Sequence, residues 1–358
     1  MKILTDIVLY DVIGRVKNTF CFDPVKHCFA GLLLKTGKYY IIRKSGSFMK
    51  NLTLNTLKNA KNSIEHFLLS ESVVSDRFEA SSEASIILCE IHKCKKADIV
   101  FNPDDKLNDD EIRQINEVIG KRKKRIPLQY IFGKAPFYGR EFKVTADTLI
   151  PRFDTEVLVE HTLDIIRSYM ADVRNDDGAL NVLDMCTGSG CIIITLAKEL
   201  EKTADIHFAA TDIDHNTLSV ARENAKNLGA EVMFIESDIF KSDYFKNKEN
   251  SIDVLVSNPP YITEEVIKTL EPEVKHEPYK ALYGGEDGLY FYRKIAEEAY
   301  DRIKNNGSLV FEVGYDEGES VCNILKKAGY VNIEIIKDLA GEDRVVTGTK
   351  QCKIISHT

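Results

Sequence analysis

The sequence predicts an α/β fold: a mostly parallel sheet covered by helices on both faces, preceded by a small helical unit and a short β-rich extension. Three observations carry this. From about Pro151 onward, apolar runs of strand length alternate with stretches of helical period. Between Leu52 and about Arg125 the apolar residues recur at helical spacing. Residues 1–50 are instead rich in β-formers, with Phe29–Leu34 and Tyr39–Ile42 as candidate strands.

In chain order, these patterns divide the protein into 1–50, 51–125, 126–150 and 151–358. In the second zone Leu57, Ala60, Ile64, Phe67 and Leu68 share one helix face, and Ala84, Ile87, Leu88 and Ile91 another. Ile112, Ile115, Val118 and Ile119 make a third face, which Asn108 and Glu111 begin as a capping pair and Gly120 is expected to stop. Leu128–Phe132 and Phe137–Val144 are expected to form a β-hairpin linker. The run Lys121–Arg125 is the one basic cluster; it reads as a solvated helix end or as a contact for an acidic partner or RNA. The last zone carries strands at Asn181–Asp184, Ile206–Thr211, Val232–Ile235, Ile252–Ser257, Gly307–Gly314 and Val331–Ile336, with a helix around Val321–Lys327.

Four of those strand ends carry chemistry. After Ile252–Ser257 comes Asn258-Pro259-Pro260-Tyr261, where the Asn258 side chain and the Pro259 carbonyl offer two adjacent acceptors. Neither proline has an N–H to compete for them, and the fixed φ angles stiffen the turn. Tyr261 adds a flat face. Such a pair suits a planar –NH₂ group, a carboxamide or the exocyclic amine of a base, as the target of methylation. A Pro-Pro turn that only closes a buried strand is the plain structural alternative.

Upstream, Asp184 ends a strand and Cys186-Thr187-Gly188-Ser189-Gly190 forms a turn that opens the helix beginning at Cys191. A dinucleotide fold would place a third glycine where this chain has Ile193, which disfavours pyrophosphate. S-adenosylmethionine, which lacks phosphate, fits better. Asp212 follows the next strand, where a carboxylate can accept both ribose hydroxyls. Asp238, followed by Ile239, ends the third strand within reach of an adenine amine. An acid after a strand can also be only a helix cap.

With 358 residues the chain can bury a sizeable core in two or three domains. A formal net charge of −8 argues against a large nucleic-acid footprint. The eight cysteines show no Cys-x-x-Cys pair, which argues against zinc and fits a reducing cytoplasm. Asp6 and Asp11 interrupt any signal-peptide core, and no apolar run approaches membrane-spanning length. The reading is a cytoplasmic protein without a metal or a membrane partner.

From about Leu52 to the C-terminus the chain resembles the bacterial peptide chain release factor glutamine methyltransferases. The resemblance runs through Pro127–Ile131, Phe137–Gly139, Leu149–Glu156, Val182–Ile192 and Ser257–Ile262. It continues through Glu277-Pro278, Gly284–Gly288, Phe311–Tyr315 and Asp338–Val346. It implies a seven-stranded, Rossmann-like class I S-adenosylmethionine-dependent methyltransferase domain, and a helical domain that docks class-I release factors. The implied reaction is N5-methylation of the glutamine in the Gly-Gly-Gln motif.

On this reading Asn258, Pro259 and Tyr261 are catalytic, and Asn258, Pro259, Pro260, Tyr261, Arg152 and Thr155 hold the substrate. The cofactor lies against Asp184, Cys186, Thr187, Gly188, Ser189, Gly190, Asp212, Asp238, Ile239 and Asn258. Arg152 is equally readable as a structural ion-pair residue. Phe153-Asp154 stands where the family usually has Pro-Glu, and Cys186 where it often has glycine. Residues 1–50 lie outside the resemblance and are faintly similar to the start of a PRC-barrel. N6-adenine methylation of DNA or RNA, and a silent docking module that binds S-adenosylmethionine, are the competing readings.

Overall fold

A computed structural model describes residues 54–172, 179–201 and 205–351. The two candidate strands in residues 1–50 lie outside that set. Five helices come first: α1 (Leu57–Ser70), α2 (Arg77–His92), α3 (Lys96–Phe101), α4 (Asp109–Arg122) and α5 (Leu128–Phe132). The anticipated apolar faces of α1, α2 and α4 meet in one cluster around Ile64, Leu68, Ile87, Leu88 and Ile115. Each such side chain contributes roughly 1.5–3 kcal/mol by leaving water. Asn108 and Glu111 form the expected reciprocal cap, with Glu111 N–H donating to Asn108 Oδ1 at 2.9 Å and Asn108 N–H to Glu111 Oε2 at 2.7 Å.

Three local expectations are corrected. Gly120 does not stop α4, which continues to Arg122. Leu128–Phe132 is a helical turn rather than a strand: Ile131 N–H donates to the Pro127 carbonyl at 3.1 Å, and Gly133 ends the turn at φ 72°. Five apolar residues are too few for their period to tell helix from strand. The hairpin itself is shorter, pairing β1 (Lys134–Phe137) with β2 (Arg140–Lys143). The third correction concerns Lys121–Arg125, which is neither simply solvated nor a free basic patch. Arg122 is almost fully buried and its guanidinium pairs with Glu83 at 2.8 Å and Glu273 at 3.1 Å. Arg125 pairs with the same Glu273 at 2.6 Å.

The remaining chain builds α6 (Thr155–Asp172), β3 (Leu180–Met185), α7 (Cys191–Leu200), β4 (Ile206–Asp212), α8 (His215–Leu228), β5 (Met233–Glu236) and β6 (Ile252–Ser257). Short helices α9 (Glu264–Thr269) and α10 (Tyr279–Leu282) precede α11 (Tyr290–Tyr300), β7 (Ile303–Glu312), α12 (Gly318–Ala328), β8 (Tyr330–Lys337) and β9 (Asp343–Lys350). The seven strands lie in the order β5-β4-β3-β6-β7-β9-β8, parallel except for β9, which runs antiparallel to both neighbours. The central strands β3 and β6 are buried along nearly their whole length, as continuous apolar runs covered on two faces should be. The strand order reverses direction at β3, so the carboxyl ends of β3, β4 and β6 open a crevice there. Among the described residues, no helix is long and apolar enough to cross a membrane.

Candidate active site

The crevice is closed by short hydrogen bonds between strand ends. Ser257 Oγ donates to the Met185 carbonyl at 2.6 Å, joining β6 to β3. Thr187 N–H reaches the Thr211 carbonyl and Ser237 N–H the Asp212 carbonyl, each at 2.9 Å. The buried Asn224 on α8 donates to the Ser189 and Lys143 carbonyls, tying the glycine turn to the hairpin. The cleft so framed is lined by Cys186, Thr187, Gly188, Ser189, Asp212, Asp238 and Ile239 on one side, and by Arg152, Thr155, Asn258 and Pro260 on the other.

Two non-glycine residues in this lining take left-handed backbone, Cys186 at φ 63° and Ile239 at φ 54°. For a β-branched residue that is a costly conformation, and Ser237 Oγ holds it by donating to the Ile239 carbonyl at 2.6 Å. At Cys186 the positive φ gives the physical reason why glycine suits this position. The two turn glycines differ in what they do. Gly188 lines the cleft with open space around it, whereas Gly190 caps α7 at φ 80°, where a Cβ would come within 2.8 Å of Ile194 Cδ1.

Asp184 is buried under the turn and accepts from Thr187 Oγ1 at 2.6 Å, while its Oδ1 has no partner. Burial pushes its pKa up to about 7 against the pull of that hydrogen bond. Asp212 accepts from Gly188 N–H at 3.0 Å and Asp214 N–H at 3.1 Å, and burial raises its pKa as well. Asp238 already meets Lys241 at 2.5 Å, with Lys294 at 3.9 Å. Arg152 pairs with the buried Glu277, which also accepts from Ile150 N–H, so Arg152 lines the cleft and braces it at once. Lys280 is paired with Asp214. With both lining cations engaged and Asp238 paired as well, the remaining lining charges are the acids Asp147 and Asp212, which fit a cationic, phosphate-free ligand such as S-adenosylmethionine.

Asn258 stands at the C-terminal end of β6 with Nδ2 donating to Thr155 Oγ1 at 3.5 Å. Pro259 is buried behind it. Tyr261 packs into the cluster beneath β6 and β7 rather than along the cleft wall, and burial drives its hydroxyl pKa far up. Its backbone is held by the glycine loop, where Ile262 N–H donates to the Leu282 carbonyl and Gly284 N–H to the Ile262 carbonyl, both at 2.9 Å. A Cβ at Gly284 would lie 2.4 Å from Tyr261 Cα, so no side chain fits there. Phe153 is exposed, and Asp154 keeps an ion pair with Arg344 at 3.4 Å.

Sequence reasoning missed Asp147, Lys280 and Phe291, which also line the cleft, because they sit in loops or on a helix without a local signature. It also missed Glu312. This residue ends β7 beside Asn258, and its carboxylate faces the Thr155 hydroxyl and the Asn258 carboxamide.

Residues 65–133 match the PrmC N-terminal domain, and residues 176–345 match a methyltransferase domain. The chain is 38% identical over 277 residues to the release factor glutamine methyltransferase of Bacillus cereus, covering 77% of this chain and 94% of that protein. It is 36% identical over 277 residues to the protein of the same name from Bacillus subtilis, covering 77% and 93%.

Proposed function

Since this chain belongs to the release factor glutamine methyltransferase family, we propose that it methylates the side-chain amide nitrogen of the Gly-Gly-Gln glutamine in class-I release factors. S-adenosylmethionine, held by the acid-lined cleft, supplies the methyl group. One observation supports the substrate side of this reading: Asn258 lines that cleft with Nδ2 set against Thr155 Oγ1, an orientation that presents Oδ1 as an acceptor.

The chemistry asks for an acceptor. An amide nitrogen is a poor nucleophile because its lone pair is delocalised into the carbonyl. Asn258 Oδ1 and the Pro259 carbonyl accept its two N–H bonds and hold the nitrogen in line for transfer. They also stabilise positive charge as it develops there, so positioning and preorganised dipoles supply most of the rate. The methylated nitrogen is strongly acidic and passes its extra proton to water. Pro260 and Arg152 border the path by which the glutamine enters, and the helical domain docks the release factor.

Asp212 is assigned to the ribose hydroxyls. Asp212→Ala is expected to raise the KM for S-adenosylmethionine by about 10–100-fold, the worth of hydrogen bonds to a charged acceptor, with a smaller change in kcat. A calorimetric titration that finds unchanged affinity removes Asp212 from that role.

The deciding experiment combines the purified protein, S-adenosylmethionine and a class-I release factor, followed by mass spectrometry of the tryptic peptides. One added methyl on the Gly-Gly-Gln glutamine is expected. Cofactor binding without methylation of the factor overturns the substrate assignment, and methyl transfer to nucleic acid in its place establishes the adenine alternative.

A further inference from the structure

A carboxamide can sit either way round, because its oxygen and its NH₂ are nearly the same size. For Asn258 the two orientations are opposite in chemistry. One presents Oδ1 to the substrate amide; the other presents N–H bonds to N–H bonds. Something in the wall behind Asn258 must break this degeneracy. Thr155 alone cannot, since a hydroxyl both donates and accepts. An ionised carboxylate can, since it only accepts.

The structure puts one there. Phe311 pairs with Ser257 in the β6–β7 register, so the next residues, Glu312 at the end of β7 and Asn258 just past β6, come side by side. Glu312 is buried, and its Oε2 has no partner within hydrogen-bond distance. The Thr155 hydroxyl and the Asn258 carboxamide both face the carboxylate and favour its charged form. A buried acceptor left unpartnered costs free energy, and the nearby Thr155 hydroxyl and Asn258 Nδ2 are the donors that can satisfy it.

We propose that Glu312 is a positioning residue: its carboxylate, together with the Thr155 hydroxyl, takes the Nδ2 side of Asn258 and fixes Oδ1 toward the substrate. This rests on the acceptor role given to Asn258 above. Glu312 does not line the cleft, so it acts through Asn258.

The surroundings set the pH at which it acts. Arg344 from β9 favours the charged carboxylate and Asp154, just before α6, opposes it. Tyr261, Tyr292 from α11 and Cys191 from α7 also face it, all with pKa values raised by burial and therefore neutral. Burial outweighs the favourable partners and pushes Glu312 up to about 7. Below that pH the protonated group can donate, and the orientation of Asn258 is no longer enforced.

The test measures kcat and cofactor affinity for the wild type, Glu312→Gln, Asn258→Ala and the double variant, on the release factor, across pH about 5.5–8.5. Glutamine keeps the volume and removes a buried charge, so folding is retained. Wild-type kcat should rise through about pH 7 independently of any variant. Glu312→Gln should lower kcat about tenfold at the high end, flatten that limb, and leave the Kd for S-adenosylmethionine within about twofold. In the Asn258→Ala background it should cost nothing further, because there is no carboxamide left to orient.

Wild-type kcat retained in Glu312→Gln at high pH overturns the proposal, as does a loss confined to cofactor affinity or one that persists in full in the double variant. The two readings fail separately. If Asn258→Ala abolishes transfer while Glu312→Gln does not slow it, only the positioning role falls. If Asn258→Ala leaves turnover intact, the acceptor role falls and takes the positioning role with it.

Discussion

Asn258→Ala is expected to lower kcat by about two to three orders of magnitude, while the Kd for S-adenosylmethionine changes only a few-fold. The asymmetry follows from where the side chain sits. Asn258 lines the cleft at the end of β6, against Thr155, and the proposed mechanism gives it to the substrate and the acids to the cofactor. Alanine leaves the turn intact, because Pro259 and Pro260 fix its backbone and the glycine loop clamps Tyr261 from the far side. On the proposed mechanism, what disappears is one of two preorganised acceptors aimed at a nitrogen that becomes positive only in the transition state. Removing such a dipole in other enzymes costs about 10²–10³ in rate. Rapid-quench single-turnover kinetics with the release factor check this, since they isolate the chemical step. A single-turnover rate near wild type would show that Asn258 merely closes the strand.

Arg122→Ala is expected to destabilise the protein by about 3–5 kcal/mol. The guanidinium is buried and bridges two carboxylates, Glu83 on α2 and Glu273 in the segment that follows α9. It also donates to the Ile126 carbonyl at 2.9 Å. Taking it away leaves Glu83 without its counter-charge in a place where burial already raises its pKa. Glu273 keeps Arg125 and suffers less. Methionine at 122 should cost less than alanine, because it fills the space, and Arg122→Met with Glu83→Gln less again. Urea unfolding followed by tryptic sensitivity of the 264–283 segment measures both the energy and its location. If Arg122→Ala unfolds within about 1 kcal/mol of wild type, the pair is an ordinary surface contact in energetic terms.

Much of this architecture was legible because its causes are local. The helices α1, α2 and α4 show their apolar faces at the spacing that buries them. The cap at Asn108 needs only residues three apart. The strands that frame the cleft read as continuous apolar runs, and Asn258 is visible as a polar residue at the end of one.

What escaped depends on contacts the local pattern does not encode. Arg122 sits in a row of basic residues, and its partners are 39 and 151 positions away. Glu312 interrupts an apolar strand, and only the pairing of β7 with β6 brings it beside Asn258. Leu128–Phe132 is too short to have a period, so the αL residue Gly133 and the Pro127 carbonyl decide its conformation. Gly190 looks like a partner to Gly188, yet its Cβ space is taken by Ile194.

Buried acids around the cleft, none of them lining it, also link stability to ligation. Asp184, Glu312 and Glu317 are each pushed up to about 7, in every case chiefly by burial. The folded chain therefore holds protons that the unfolded chain releases near pH 4, and stability falls as pH rises from about 4 to about 7. If S-adenosylmethionine binds, as proposed, over the turn that covers Asp184, its positive charge favours the Asp184 carboxylate, expels its proton on binding and offsets that fall. The rise in melting temperature produced by S-adenosylmethionine should accordingly grow between about pH 5 and 7.5, which thermal unfolding with and without the cofactor would read directly. Toward neutral pH, the empty enzyme is the fragile form and the loaded enzyme the durable one.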